Sequence, residues 1–177
     1  SDNGGMYLEG RPGEKGNQAE FVAYEKKPGQ VHNLAHEYVH YLDGRFNSYG
    51  DFCDALHDDH SAPEYCPKPS PKLPHTVWWG EGVAEYVAKL KDNEYALKRA
   101  KKELGKYQLS DLFNTSYHEN GGGSRVYAWG YMAVRFMMEN HRGEVEKMLQ
   151  LLRQGNDQGY YDLVATWGTG FDAQFNQ

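Results

Sequence analysis

The sequence has no excess of positive charge and no long apolar run. Its 177 residues include 19 Lys and Arg against 25 Asp and Glu, a net charge of -6. Proteins that bind nucleic-acid phosphates need a basic face, and the short basic run from Lys98 to Lys102 is better explained as a solvated helix face. No apolar stretch reaches the roughly 18 residues of a membrane span, and the first residues carry no charged-then-apolar signal segment. We therefore expect a soluble, mature fragment without a nucleic-acid or membrane partner.

Cysteine is scarce, and its two copies lie close together. Cys53 and Cys66 enclose 12 residues (66 − 53 − 1) in a stretch dense with Asp, His, Pro and Ser. In a secreted protein this pair would form a disulfide that closes the loop and contributes about 2–3 kcal/mol. In a cytosolic protein the same residues would be two free thiols. The sequence alone leaves both states open.

The spacing of apolar residues predicts strands followed by helices. Residues 1–27 alternate, as in Met6 and Leu8 against Tyr7 and Glu9, which is typical of strands. From Val31 onward the spacing is helical, over residues 31–46, 77–90, 94–104, 125–140, 144–153 and, more weakly, 160–167. A glycine triplet at 121–123 predicts a division into residues 1–120 and residues 121–177. The predicted fold class is α+β, with a small sheet in the first part and a mainly helical second part.

The stretch HEYVH, residues 36–40, is the strongest chemical motif. Histidines at i and i+4 of a helix can direct ring nitrogens at one ion, and the glutamate after the first can reach a water molecule beside it. At about 100° per residue, His36, Glu37 and His40 share one side of the helix. The opposite stripe, predicted to face the core, consists of Val31, Leu34, Ala35, Tyr38 and Leu42. The motif predicts a zinc site with Glu37 as general base, and a pair of exposed or hydrogen-bonded histidines is the alternative.

A catalytic zinc site normally has three protein ligands, so a third ligand is required. The extended motif HExxHxxGxxH does not apply, because Asp43 and Phe46 replace its Gly and its last His. The stretch WWGEGVAEYVAKL offers Glu81 as the ligand and Glu85, one turn later, as the acceptor of the free N–H of a zinc-bound histidine. The core face of this helix is predicted to carry Val83, Val87 and Leu90. Rival ligands in the Pro-rich loop are His57, His60 and His75.

These motifs, in this order and spacing, resemble the bacterial collagenases, a gluzincin metallopeptidase family, in its Vibrio-type branch more than its clostridial one. HEYVHYLDGRF and WWGEGVAEYVA carry the resemblance, and NGGMYLE, KYQLSDLF and VYAWGYMAVRFMM extend it over most of the chain. The resemblance implies a thermolysin-like, zincin-type peptidase subdomain that contains the active-site helix, followed by a small helical helper subdomain. The cysteine loop has no counterpart in the clostridial members. The family's large N-terminal activator domain is not within this sequence, so we expect a catalytic piece.

The resemblance also implies roles for single residues. The zinc ligands match His36, His40 and Glu81, and the catalytic glutamate matches Glu37. Tyr117 matches a tyrosine that faces the active site and is the candidate donor to the oxyanion. A calcium site is implied at Glu9, with backbone carbonyls near Ser48 and Gly50. The residues themselves contain no Asp-rich calcium loop, so calcium rests on the resemblance.

Two glycines ahead of the first predicted strand suggest a substrate-binding edge. Gly4 and Gly5 permit close approach of another backbone, and an extended peptide could pair with the strand at Met6 and Tyr7. An ordinary strand after a glycine turn is the alternative.

The predicted function is a secreted zinc endopeptidase that hydrolyses Gly- and Pro-rich chains of the collagen or gelatin type. One other interpretation is a gluzincin of different specificity, thermolysin-like or an aminopeptidase, although no motif for holding a free amine is evident. Another is a non-catalytic matrix-binding module with structural zinc, in which Glu37 would have no purpose.

Overall fold

The computed structural model of the chain describes residues 4–10, 15–16, 19–25, 27–50, 52–58, 66 and 75–177. The described residues form two strands and seven α-helices: β1 (Gly5–Leu8), β2 (Glu20–Ala23), α1 (His32–Asn47), α2 (Val77–Lys89), α3 (Glu94–Lys102), α4 (Leu109–Leu112), α5 (Gly130–Asn140), α6 (Arg142–Arg153) and α7 (Asp157–Phe175). A 3-10 turn, Leu90–Asp92, follows α2, and a π-helical segment, Ser124–Trp129, runs into α5. The α+β class is confirmed. Sequence spacing missed α4 and underestimated the length of α7, and the helix predicted over residues 125–140 corresponds to the π-helical segment together with α5.

The two strands form an antiparallel sheet that lies against α1. Gly5 pairs with Ala23 at one end, and Leu8 pairs with Glu20 at the other. The inner face of the sheet contacts α1 through aromatic side chains, with the ring centroids of Phe21 and Tyr38 5.7 Å apart. The strands therefore fix the position of the helix that carries HEYVH.

The largest core cluster surrounds Trp78 of α2. Trp78 is fully buried, and its ring contacts those of Phe113 and Trp167, with centroids 4.9 Å and 6.4 Å away. The cluster draws residues from α2, α4, α5, α6 and α7. Helices on both sides of residue 121 thus share one core, and the division into residues 1–120 and 121–177 stays a prediction.

The predicted core faces of α1 and α2 are largely wrong, although Val83 of α2 packs against the main core cluster as predicted. Val31, Leu34 and Tyr38 are 62%, 49% and 47% exposed, whereas the buried residues of α1 are His36, Glu37 and Val39. In α2, Val87 and Leu90 are exposed, while Glu81 and Glu85 are buried beside Trp78 and Trp79. The reason is that α1 and α2 pack through the faces that carry the ionisable groups. Periodicity separates the two faces of a helix but does not tell which one a neighbouring helix covers.

Cys53 and Cys66 form a disulfide, with Cα atoms 5.2 Å apart. This settles the alternative between a closed loop and free thiols.

No helix among the described residues is long and apolar enough to cross a membrane.

Candidate active site

Three ligand atoms from two helices meet in one place. His36 and His40 lie one turn apart on α1, and Glu81 faces them from α2. The Nε2 atom of His36 is 3.0 Å from Nε2 of His40 and 3.1 Å from Oε2 of Glu81. The third side of the triangle, from Nε2 of His40 to Oε2 of Glu81, is 3.5 Å. The structure therefore brings together the three residues that the sequence predicts as zinc ligands.

The spacing and chemistry of these atoms fit a zinc ion. Tetrahedral zinc with bonds of roughly 2.0–2.1 Å holds neighbouring ligand atoms about 3.3 Å apart, which lies within the observed range of 3.0 to 3.5 Å. Two ring nitrogens and a carboxylate oxygen are also the ligand types that zinc prefers. The residues thus fit a bound zinc.

Glu85 fixes the orientation of the His36 ring. Its Oε1 is 3.0 Å from Nδ1 of His36, so Nδ1 donates there. In the neutral form of the ring, which metal binding requires, this bond turns the lone pair of Nε2 toward the other ligand atoms. The Oε2 atom of Glu85 accepts hydrogen bonds from Lys89 at 2.8 Å and from Asn93 at 2.9 Å. Asn93 in turn caps α3 by accepting from the backbone of Ala96. The role predicted for Glu85 as a partner of a ligand histidine agrees with this geometry.

The two buried carboxylates make the site favour positive charge. Burial lowers the pKa of His36, but its hydrogen bonds to Glu81 and Glu85 outweigh burial and raise the pKa to about 9. Burial raises the pKa of Glu85, and hydrogen bonds from His36 and Lys89 overcome it and lower the pKa to about 2. Burial likewise opposes ionisation of Glu81, yet His36 and His40 hold its pKa below the ordinary value. A cation at this point would compensate the negative charge of the two buried carboxylates.

Glu37 lies between the ligand atoms and strand β1. A side chain at Gly5 would place its Cβ 2.5 Å from Cγ and 2.7 Å from Oε1 of Glu37, so the glycine lets the carboxylate lie directly against the strand. Burial raises the pKa of Glu37, while the charges of His40 and His36 lower it. Gly4 has the same relation to Asn33, whose side-chain amide would meet an added Cβ. Side chains of α1 thus lie close to both glycines, and Gly5 is also close to strand β2, where an added Cβ would lie 2.8 Å from the carbonyl oxygen of Val22.

The other predicted substrate residues lie on β1. Met6 is 54% exposed on the outer face of the sheet. Tyr7 faces inward, where its ring centroid is 6.4 Å from that of Tyr41 and its hydroxyl donates to Glu9. Among the described residues β1 pairs only with β2, which leaves its second edge without a partner strand there.

Two tyrosines border the ligand atoms. The hydroxyl of Tyr117 donates to Oε1 of Glu81, on the carboxylate whose other oxygen faces His36. The ring of Tyr127 lies 6.2 Å from that of His36 and is 37% exposed. Burial first, then the charges of Glu81 and Glu37, raise the pKa of Tyr127, so it keeps its proton. Sequence reasoning missed Tyr127, which stands within a predicted helix with no motif to single it out.

Two rival ligands predicted from the sequence, His57 and His75, make other contacts. His57 and His75 contact backbone oxygens, with Nδ1 of His57 2.6 Å from the carbonyl of Asp58 and Nδ1 of His75 3.2 Å from the carbonyl of His57. They do not join the group formed by His36, His40 and Glu81, and His60 lies outside the described residues. The calcium site at Glu9, Ser48 and Gly50 is not supported by a ligand group here and stays a prediction.

Two histidines of an HExxH motif, a glutamate from a second helix and a free carboxylate beside them define a metallopeptidase type of site. Comparison with known proteins agrees with this class. The model of the Peptidase_M9 collagenase family matches residues 1–177, and the chain belongs to this family.

Relatives in Vibrio are more similar than those in Clostridium. The chain is 44% identical over 181 residues to a microbial collagenase of Vibrio alginolyticus, and the match covers 100% of this chain and 20% of that protein. A microbial collagenase of Vibrio vulnificus is 42% identical over 178 residues, with 99% and 20% covered. Collagenase ColA of Clostridium perfringens is 23% identical over 180 residues, with 97% and 14% covered. The predicted Vibrio-type resemblance is confirmed, and the chain spans about a fifth of the length of these Vibrio proteins.

Proposed function

We propose that the chain is the catalytic region of a secreted, zinc-dependent endopeptidase that hydrolyses collagen- or gelatin-type chains. The convergence of His36, His40 and Glu81 beside Glu37 carries the proposal. These residues combine a group that can hold a metal ion with a neighbouring carboxylate, that of Glu37, which is not one of the three ligands. Membership of the collagenase family supports the substrate class. The Cys53–Cys66 disulfide supports an oxidising, extracellular compartment.

Glu37 acts as the general base and then as the general acid. Bound zinc would supply Lewis acidity, which acidifies water and polarises the scissile carbonyl. Glu37 accepts the proton of the attacking water and passes it to the nitrogen of the leaving amine. Burial, which raises the pKa of Glu37, favours the uptake of the proton from the attacking water.

A tyrosine hydroxyl stabilises the oxyanion. Tyr117 was predicted for this role, but its hydroxyl already donates to Glu81. Tyr127 lies close to His36, with ring centroids 6.2 Å apart, keeps its proton and is partly exposed. We assign the donation to Tyr127 and give Tyr117 the task of orienting the Glu81 carboxylate.

The edge of β1 without a partner strand among the described residues is the proposed binding edge for substrate. Backbone groups of an extended peptide pair with the strand, while Gly5 brings the paired chain close to Glu37. A strand that pairs with the substrate beside the general base suits an endopeptidase, because the peptide can extend beyond the cleavage site in both directions. The thermolysin-like character of the subdomain, the calcium ion and a separate N-terminal activator domain remain part of this proposal.

The test combines metal analysis with cleavage of a peptide blocked at its N-terminus. We expect about one zinc per purified chain, internal cleavage of an N-acetylated Gly- and Pro-rich peptide, loss of cleavage with a chelator and recovery with added zinc. Blocking the amine separates the proposal from an aminopeptidase, which needs a free N-terminus. Zinc binding without cleavage would favour the matrix-binding module.

A further inference from the structure

A contact chain links the disulfide loop to the metal site. The carboxylate of Asp58 accepts the backbone N–H of Tyr117. The hydroxyl of Tyr117 donates to Oε1 of Glu81, whose Oε2 is 3.1 Å from Nε2 of His36. Asp58 is therefore two contacts away from a ligand carboxylate, although 23 residues (81 − 58) separate them along the sequence.

The segment that carries Asp58 is attached to the start of α2, the helix of Glu81. The Thr76 hydroxyl donates to the carbonyl of Leu56 at 2.8 Å, and Nδ1 of His75 lies 3.2 Å from the carbonyl of His57. The disulfide joins Cys53, on the same segment, to Cys66. The first residue of the contact chain, Asp58, therefore lies on a segment that is attached to the start of α2, and the ligand carboxylate that the chain reaches, Glu81, lies on α2 itself.

The carboxylate of Asp58 is buried, so its hydrogen-bond donors contribute to the stability of this part of the fold. Its exposed fraction is 5%, and a buried carboxylate is costly unless donors satisfy it. The Tyr117 N–H is one such donor, and Nε2 of His75 lies 3.8 Å from Oδ1. Tyr117 itself lies between α4 and the π-helical segment, outside regular structure, so no helix or strand fixes its backbone. A charge-assisted hydrogen bond is suited to hold it there.

We infer that Asp58 is a positioning residue for the metal site: by holding the backbone of Tyr117, it keeps the phenol on Glu81 and leaves Oε2 of Glu81 turned toward the metal. This inference rests on the proposed zinc-dependent function. It also assigns a task to the loop closed by the Cys53–Cys66 disulfide, which carries Asp58 on its first half.

The test measures zinc affinity by competition with a chromophoric chelator. Asp58→Ala should weaken zinc binding by about 10-fold or more, as is typical when a partner of a ligand is lost. Asp58→Asn should stay within about threefold of the parent, because the amide oxygen still accepts the N–H of Tyr117. Asp54→Ala is the matched control, since Asp54 is an exposed aspartate of the same loop and should leave affinity unchanged.

A double-mutant cycle separates positioning from general loss of stability. If Asp58 acts through the Tyr117 hydroxyl, the Asp58→Ala effect should vanish in a Tyr117→Phe background, where the hydroxyl is already missing. Additive effects, or an Asp58→Ala affinity equal to that of the parent, would overturn the inference. The absorption spectrum of the cobalt-loaded variants gives a second readout, since it reports the geometry of the ligands.

The variants must also be folded, which circular dichroism and thermal midpoints establish. Should Asp58→Ala fail to fold, Asp58→Ser replaces it, because serine keeps the position polar but is too short to reach the N–H of Tyr117. A parent chain that binds zinc and cleaves no peptide contradicts the proposed peptidase but leaves the affinity test valid. A parent chain that binds no zinc contradicts both proposals.

Discussion

At the scale of single residues, the site depends on one imidazole that contacts two buried carboxylates. His36 faces Glu81 through Nε2 and Glu85 through Nδ1, at 3.1 Å and 3.0 Å. The spacing of HEYVH and the i, i+4 carboxylates was enough to predict these residues, because side chains one turn apart share a helix face. The spacing could not predict the proposed roles of Asp58 and Tyr127, which come from contacts between distant parts of the chain. It also could not predict Asn93, which contacts Glu85 from beyond the end of α2.

Glu37→Gln should separate chemistry from metal binding. The amide cannot accept the proton of water, so turnover of a peptide should fall on the order of 10²-fold or more. Zinc content should stay at the parent level, because Glu37 is not among the three ligand residues. Steady-state kinetics and metal analysis check both points, and Glu146→Gln on the exposed side of α6 is the control. Near-parental turnover in Glu37→Gln would rule out this mechanism.

The two tyrosines should respond differently to loss of their hydroxyls. Tyr127→Phe removes a donor to the oxyanion, so kcat should fall by about 10²-fold while zinc affinity stays constant. Tyr117→Phe removes the hydrogen bond to Glu81, so zinc affinity should fall by about 10-fold. The opposite result would be a low kcat with unchanged zinc affinity in Tyr117→Phe and no such loss in Tyr127→Phe. It would show that Tyr117 is the donor to the oxyanion.

At the scale of elements, the arrangement depends on how closely α2 approaches α5. A Cβ at Gly82 would lie 2.4 Å from the carbonyl oxygen of Gly130 and 2.6 Å from Cγ2 of Val134. No side chain fits in that space unless the helices separate. Since Glu81 precedes Gly82, the same contact sets the position of the proposed metal ligand relative to the core.

Gly82→Ala should therefore destabilise the chain although alanine favours helices. We expect a loss of about 1–3 kcal/mol in the free energy of unfolding, the usual cost of overpacking. Gly80→Ala is the matched control in the same helix, because nothing lies within 4 Å of its added Cβ, and it should gain roughly 0.5–1 kcal/mol. Urea denaturation measures both variants. Equal effects from the two would mean that the helices do not meet at Gly82.

The helices were predictable in place but not in orientation. Apolar residues of α1 recur at helical spacing, so the helix itself was correctly predicted. Its apolar stripe is nevertheless largely exposed, with Val31 at 62%, while His36 and Glu37 are buried. A helix whose polar face carries a metal site breaks the rule that the apolar face turns inward. The site residues were therefore found through their chemistry.

At the scale of the whole molecule, the proposed substrate site consists of one strand edge and the helix α1 among the described residues. A cleft of this kind receives a single extended strand, whereas a collagen triple helix winds three chains together. The Vibrio relatives are about five times longer than this chain, since the match covers 20% of the Vibrio alginolyticus protein. We infer that parts of the longer protein handle the intact triple helix.

The chain alone should thus cleave gelatin and soluble collagen-like peptides but attack native fibrils slowly. The measurement is the initial rate on a soluble peptide beside release from fibrils below their melting temperature, both normalised to accessible chains. Heat-denatured fibrils serve as the control and should be cleaved at the rate of gelatin. Equal rates on native and denatured fibrils would show that the additional parts are unnecessary.

The Asn93 side chain gives the metal site a mechanical connection to α3. Asn93 is 1% exposed, donates to Glu85 at 2.9 Å and accepts from the backbone N–H of Ala96, so a single amide group bridges the carboxylate behind His36 and the first turn of the next helix. When the His36 ring is held by a metal, Glu85 and Asn93 lose freedom with it. We therefore expect the backbone amide of Ala96 to exchange its hydrogen more slowly when metal is bound than when it is removed. This exchange rate would report metal binding at a residue that is not a ligand, and its measurement needs neither substrate nor a spectroscopic label.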